Sequence, residues 1–354
     1  MTPAAPATSR LTGRILWFCG MGMLFALTLA ARGADVPING IPYRPLSDVA
    51  ALYGMTVSWG TPGKTMDLKN QFCTIDATGN ERSIRLNNQL LALGAPIMLR
   101  GNMLYLSKRD FDNNIFPLLS PAQIPAAVPA LHRIIIDPGH GGDDPGTQNR
   151  SIGTNEKTNT LDVGLRLADE LRKRGYEVIM TRTKDVTFNR RERPIMANND
   201  KGDLYLSIHF NEAPENSVSG VETWILTPPW QPSSTQAKSS ETDKEVLPGD
   251  RFDYWNTIVG FSVERVVTRE LGAVNRGVKR ARYDVLTPLN MPGLLVECGF
   301  LSNPTEGAKI ITPDYRQKIA LALADGIDLY ETTLDRLRPR PFAPPTLPGL
   351  AQKK

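Results

Sequence analysis

The chain has 354 residues, which at roughly 100–200 residues per domain suggests about two domains. With 41% hydrophobic and 22% charged residues it matches the globular average, which excludes a disordered or fibrous chain. A net charge of +4 offers no concentrated basic stripe for a nucleic acid, and three cysteines exclude a disulfide-built scaffold.

The chain opens on a targeting segment. Arg10 and Arg14 precede an apolar run over 15–31, and polar sequence follows from Arg32. A basic start, a short apolar core and the small residues Ala30 and Ala31 spell a cleaved export signal over 1–31. The run holds about 16 apolar residues against the ~20 of a spanning helix, so no stable membrane span is expected after cleavage. The expected location is the periplasm or cell wall. Cys19 falls within the apolar core and lacks a lipoprotein context. The other two cysteines, Cys73 and Cys298, lie in different expected domains and read as buried thiols, not as a bridge.

A small β-rich α+β domain is expected over 35–120. Ser47 caps a short helix to Leu52, and Gly54 closes it. Alternating runs at 55–59, 65–68, 72–75, 83–86 and 90–93 read as strands, with Asn87-Asn88 as a hairpin turn. A helix is expected from Ser107 to Leu119. The Pro- and Ala-rich stretch over 121–131 reads as a linker.

The second domain, 132–334, alternates strands and helices, which argues an α/β fold: a mixed, mainly parallel sheet flanked by helices. Ile134-Ile135-Ile136 is a strand buried on both faces. Leu161, Leu165, Ala168 and Leu171 recur at helical spacing, and Gly175 ends that helix. Further strands are expected at 177–181, 203–208, 221–226 and 294–297, with helices at 256–271 and 315–330. Between the strand ending at Leu226 and the helix near Asn256, residues 227–254 carry four prolines and few apolar residues. So long an insertion reads as a mobile flap, with Trp230, Phe252, Tyr254 and Trp255 available to pack on a ligand or the groove rim. From Asp335 to Lys354 the basic, proline-rich tail reads as disordered.

Histidine is scarce: His132, His140 and His209 are the whole supply. His140 follows the first buried strand in Asp137-Pro138-Gly139-His140-Gly141-Gly142, and His209 ends another apolar strand. Two histidines in the same strand-end layout point to a metal pair. A catalytic zinc site takes three protein ligands and keeps a fourth position for water. With no thiol or spare histidine suitably placed, the third ligand should be a carboxylate. Glu156, just ahead of the Leu161 helix, is the best placed.

Read as a whole, 136–146 (Ile-Asp-Pro-Gly-His-Gly-Gly-Asp-Asp-Pro-Gly) resembles the opening signature of the zinc-dependent N-acetylmuramoyl-L-alanine amidases of the amidase-3 family. Asn155-Glu156-Lys157, Ser207-Ile208-His209-Phe210-Asn211 and Leu295-Val296-Glu297-Cys298-Gly299-Phe300-Leu301-Ser302-Asn303 follow in the family's order. Arg276-Gly277-Val278-Lys279 and Asp284-Val285-Leu286 fit its approach to the last catalytic strand. The resemblance implies one zinc ion held by His140, Glu156 and His209, and Glu297 as the catalytic carboxylate. It implies hydrolysis of the amide between N-acetylmuramic acid and L-alanine in peptidoglycan. A carboxylate inside an apolar run is also costly to bury without a task or partner. Asp137 is expected to orient the first turn or a ligand. The departures are Cys298 for an aliphatic residue and Phe210 for a small one, the latter expected to narrow the groove.

Residues 35–120 faintly resemble the stalk domain of copper amine oxidases and some wall enzymes. They contain no histidine, so no copper site comes with the resemblance, and a wall-binding or spacer module is expected. Some relatives carry an insertion at 227–254 that a regulatory protein displaces, which makes such a partner an expectation here. Two alternatives stay open at this stage: a non-catalytic peptidoglycan-binding protein on the amidase fold, and another secreted zinc peptidase. The second lacks both a His-Glu-x-x-His pattern and a third usable histidine.

Overall fold

The computed structural model describes residues 35–236 and 238–338. The export signal expected over 1–31 and the last part of the expected tail lie outside them.

The front module pairs Val36–Ile38, Ile41–Pro45, Met103–Ser107 and Met98–Arg100 in one sheet. A second, antiparallel run takes Thr56–Thr61, Thr65–Lys69, Thr74–Thr78, Ser83–Leu86 and Gln89–Ala92. Met66 and Leu68, Ile75 and Ala77, Ile84 and Leu86, Gln89 and Leu91 are its buried residues, the period-two pattern of a sheet covered on one face. The asparagines of the hairpin Leu86–Gln89 both have positive φ, 50° and 65°, as a primed two-residue turn requires.

The catalytic sheet places Glu177–Met180, Arg133–Pro138, Leu204–Asn211 and Gly293–Phe300 side by side and parallel. Val221–Leu226 pairs antiparallel to the last of these, and Asn275–Ala281 continues in the direction of Val221–Leu226. Helices Glu156–Lys173, Asp253–Leu271 and Pro313–Leu337 share one core with Ile134, Ile136, Leu206, Ile208, Leu294 and Val296. The alternate residues Ile135, Tyr205 and Leu295 meet Val285, Leu286, Leu289 and Met291 on the other face. Adjacent strand residues point to opposite faces, so both sides of the isoleucine run are covered.

Strands of the front module and of the part expected over 132–334 join in one eleven-stranded sheet. Leu91 of the front module pairs with Val278 of the catalytic strand Asn275–Ala281. Beside that pair Gln89 and Asn275 exchange amide hydrogen bonds of 3.2 and 2.8 Å. Without the front strand this edge would be an open row of backbone groups. In the 121–131 stretch, Pro121–Gln123 forms a 3₁₀ turn and Leu131 is buried. The expected 107–119 helix forms from a Ser107 cap but widens into a π turn at Phe111–Ile115. There the Asn113 carbonyl accepts from Thr257 Oγ1 at 2.8 Å and from Arg280 at 2.9 Å.

Arg280 is the central tie of this junction. Buried at 3% exposure, it also donates to Asp253 Oδ1 (2.5 Å), the Leu226 carbonyl (2.9 Å), Asn114 Oδ1 (3.1 Å) and Thr257 Oγ1 (2.7 Å).

Three further expectations need correction. The last helix runs to Leu337, so the tail does not begin at Asp335. Leu334 is buried, Leu337 packs on the core, and Arg338 is held by Glu331, Asp335 and the Pro129 carbonyl. Second, Phe210 is 1% exposed in the helix-side core and does not reach the groove, because it points away from the face that His209 takes.

The third correction concerns 227–254, which is anchored rather than free. Arg282 binds the Gln231, Pro228 and Asp243 carbonyls and the Asp243 carboxylate. Arg109 of the front module donates to the Pro229 carbonyl at 3.1 Å. Polar ties supply what the missing apolar residues do not. Of the four aromatics expected to be available, Trp255 is buried, Phe252 packs on the core, and Tyr254 lies edge-on to Phe116. Only Trp230, at 55% exposure, stands open. Asp253 starts the helix three residues earlier than 256, which turns the other aromatics inward.

Candidate active site

The site sits where the parallel strands end. His140 follows the strand Arg133–Pro138 in the left-handed region, at φ 62°. Two arginines hold that turn. Arg193 donates to the Pro138 and His140 carbonyls at 2.9 and 2.7 Å, and Arg182 to the Pro138 and Gly139 carbonyls at 2.9 and 2.8 Å. Asp137 is wholly buried and anchors Arg193 at 2.8 Å, while accepting from Thr181, Tyr205 and Ser207 hydroxyls at 2.6, 2.6 and 2.8 Å. Burial pushes its pKa up, but Arg193 and these donors reverse that and hold the carboxyl below its usual range. Of the two roles expected for Asp137, the structure shows the orientation of the first turn.

Glu156 opens the helix Glu156–Lys173, whose cap Asn155 accepts from the Thr158 amide at 3.1 Å. The positive end of the helix favours a carboxylate there. Its Oε2 lies 3.1 Å from His140 Nε2 and its Oε1 2.9 Å from His209 Nδ1. The Thr147 and Phe210 amides donate to the same oxygens at 2.9 and 3.0 Å. Burial raises the pKa of Glu156, but the two imidazoles outweigh it and hold the carboxyl far below its usual range. Asp144 grips His140 Nδ1 at 2.8 Å, which turns Nε2 toward Glu156. One potential ligand atom from each of His140, Glu156 and His209 falls within 4.8 Å of the others. Two imidazoles and a carboxylate are a donor set that suits zinc.

Two glycines make this closeness possible. A Cβ on Gly139 would stand 2.3 Å from His209 Cε1. One on Gly146 would stand 2.5 Å from Glu156 Oε2, at a backbone φ of 63°.

Glu297 pairs in register with His209 on one side and with Glu222 on the other. Its Oε2 is covered and has no hydrogen-bond partner. Burial, then Glu156 and Glu222, push its pKa well above the usual carboxylate value, against Lys279. His132 is exposed at the start of the first strand and takes no part.

Comparison with known proteins adds to this geometry. The family model described as N-acetylmuramoyl-L-alanine amidase matches residues 134–329, more than half of the chain. The chain belongs to that family. It is an N-acetylmuramoyl-L-alanine amidase, an enzyme of peptidoglycan. The germination-specific N-acetylmuramoyl-L-alanine amidase of Bacillus subtilis is 30% identical over 246 residues, covering 65% of this chain and 90% of its own. The probable cell wall amidase LytH of Staphylococcus aureus is 30% identical over 56% of this chain and 57% of its own length. A solved N-acetylmuramoyl-L-alanine amidase of Clostridium difficile is 30% identical, with a TM-score of 0.47 over 57% of this chain and 98% of its own.

Several residues that support this arrangement carry only a weak signal in the sequence. Asp144 lies within the signature, and its spacing of four from His140 is a weak signal for a ring-orienting partner. Glu222 and its cations were also missed. The signal was present, since Glu222 is a charge inside the apolar run Val221–Leu226, the same oddity that marks Glu297.

Proposed function

We propose that this amidase is a zinc hydrolase in which His140, Glu156 and His209 hold one metal ion and Glu297 moves the protons. The observation that carries the proposal is the meeting of the three donor atoms within 4.8 Å, one strand away from a carboxylate with an unpartnered oxygen. Zinc bound there supplies Lewis acidity, lowering the pKa of water and polarising the scissile carbonyl. Glu297 takes the proton of the attacking water and delivers it to the leaving amine of L-alanine. Asp144 fixes the imidazole of His140 through Nδ1 and leaves Nε2 for the metal, and Arg182 and Arg193 keep its turn from shifting. The bond cleaved joins the lactyl carbonyl of N-acetylmuramic acid to the stem peptide.

An exported enzyme fits this substrate, and among the described residues no helix is long and apolar enough to cross a membrane. The front module serves as a fixed extension of the catalytic sheet that can present the enzyme to the wall.

Digestion of purified peptidoglycan, read by mass spectrometry, tests the proposal. Free stem peptides should be released, and His209→Ala should lose both bound zinc and hydrolysis. Full activity of a demonstrably metal-free protein refutes the zinc assignment. Binding without release of peptides points instead to a non-catalytic wall binder.

A further inference from the structure

A second charged cluster lies beside Glu297, and the amide chemistry leaves it unused. Glu222 is 3% exposed and accepts from Asn211 Nδ2 at 2.8 Å and Trp224 Nε1 at 3.1 Å. Its Oε2 is shared by Arg276 Nε at 2.9 Å and Lys279 Nζ at 2.5 Å. Beyond this shared carboxylate, Lys279 also faces Glu297 and Arg276 faces Glu306. Each cation is also seated on a ring. The Arg276 guanidinium lies 4.9 Å from the Phe300 centroid and the Lys279 ammonium 5.1 Å from that of Trp224. Their side chains nonetheless keep 32% and 23% of their surface open. Only Nε of Arg276 is taken up by Glu222, so the two terminal nitrogens of its fork stay available. Partly open, pre-oriented cations of this kind suit a carboxylate.

The sheet order says which part of the substrate reaches them. From the metal residues outward come the Glu297 strand, the Glu222 strand and then the Arg276–Lys279 strand. Each step is about 4.8 Å. Glu297, on the reading proposed above, protonates the leaving amine, so the amine side of the substrate lies on the Glu297 side of the metal. A peptide that begins at that amine and crosses the strands in this order passes over Glu222 toward the cations. One residue spans roughly 3.5 Å, so a group on the residue after L-alanine comes within reach of the Arg276 and Lys279 side chains, which lean back to Glu222.

We propose that Arg276 and Lys279 form a subsite for a free carboxylate on the peptide residue that follows L-alanine. The subsite makes the enzyme prefer substrates that carry this charge over those in which it is amidated. Glu222 positions the two cations and does not touch the substrate.

The inference rests on the assignment of Glu297 as proton donor to the amine, and its test is separable from that assignment. Two muramoyl tripeptides are compared that differ only at the second residue, one with the free carboxylate and one with the carboxamide. Wild type should show a kcat/KM about tenfold or more higher on the acid, as expected for a charge-assisted hydrogen bond, and the difference should lie in KM. Lys279→Gln should bring the ratio close to one, and Lys279→Arg should restore part of it. Equal rates of wild type on both substrates overturn the subsite, whether or not the variants fold. So does a Lys279→Gln enzyme that keeps the full preference. Failure of wild type to cleave either tripeptide, while sacculi also stay intact, is a failure of the amidase mechanism itself.

Discussion

Replacing Gly146 by alanine should perturb the proposed metal site without substituting any of its three residues. Its φ of 63° costs an L-residue about 1–2 kcal/mol in the left-handed region. The new Cβ would also stand 2.5 Å from Glu156 Oε2 and 2.7 Å from His140 Cδ2. To reach ordinary van der Waals contact the Glu156 oxygen must retreat by about 1 Å. Metal–ligand distances tolerate about 0.2 Å, so the displacement exceeds the tolerance several-fold. Glu156 has nowhere to go, since both oxygens are already bound by the Thr147 and Phe210 amides. Zinc affinity, measured by chelator competition, should fall at least the ~10–100-fold seen when a ligand's supporting contacts are lost, and kcat/KM should fall with it. Gly153 provides the control: its φ is 64° and its Cβ would meet nothing within 4 Å. Gly153→Ala should lose similar stability in a thermal melt yet keep its zinc. If Gly146→Ala binds zinc as tightly as Gly153→Ala does, Glu156 is not a ligand and the site has been misassigned.

Glu297→Gln, nearly isosteric, should retain zinc and the fold while kcat drops about 10²–10⁴-fold; loss of the metal instead makes Glu297 a ligand. Arg280→Ala strands Asp253 and two asparagine contacts at the junction, and breaking such a buried pair costs about 3–5 kcal/mol. Calorimetry should show the front module and catalytic sheet melting together at a lower temperature, and an unchanged midpoint contradicts the continuous sheet. Glu264, buried between Thr223 Oγ1 at 2.8 Å and the Gly277 amide at 3.1 Å, has its pKa pushed up to about 8 by burial, against those two bonds. Below its unfolded value of 4.5 it is neutral in both states and costs nothing; the cost grows as the pH rises to about 8. Glu264→Gln should therefore raise the melting temperature over wild type more at pH 8 than at pH 5. An equal shift at both pH values means that Glu264 is ionised in the folded protein.

Local pattern makes much of this protein legible in its sequence. The isoleucine run of 134–136, the helical spacing of Leu161, Ala168 and Leu171, and the turn of Asn87 and Asn88 are each decided by residues close in sequence. Local sterics and burial on one face dictate such elements. The strand-end placing of His140 and His209 was readable for the same reason, and the ordered motifs around Glu156 and Glu297 added the rest. Element ends were less legible. The last helix passes Asp335 because Leu334 and Leu337 find a core, and the helix at 253 starts early because Trp255 does.

What the sequence could not fix is which distant segments meet. Leu91 pairs with Val278, Arg280 reaches Asn113, and Glu222 stands opposite Glu297, yet nothing near any of these residues names its partner. Strand order is chosen by the whole molecule, through the closing of an exposed sheet edge and the pairing of buried charges. The short helices Glu192–Asn199 and Pro304–Ile310 likewise have too little pattern to be seen alone. The residues proposed to hold the metal and to move the protons were thus legible in the chain. Their distances, the cation pair beside them, and the fusion of the front module to the catalytic sheet came only with tertiary structure, because each depends on contacts between residues far apart in sequence.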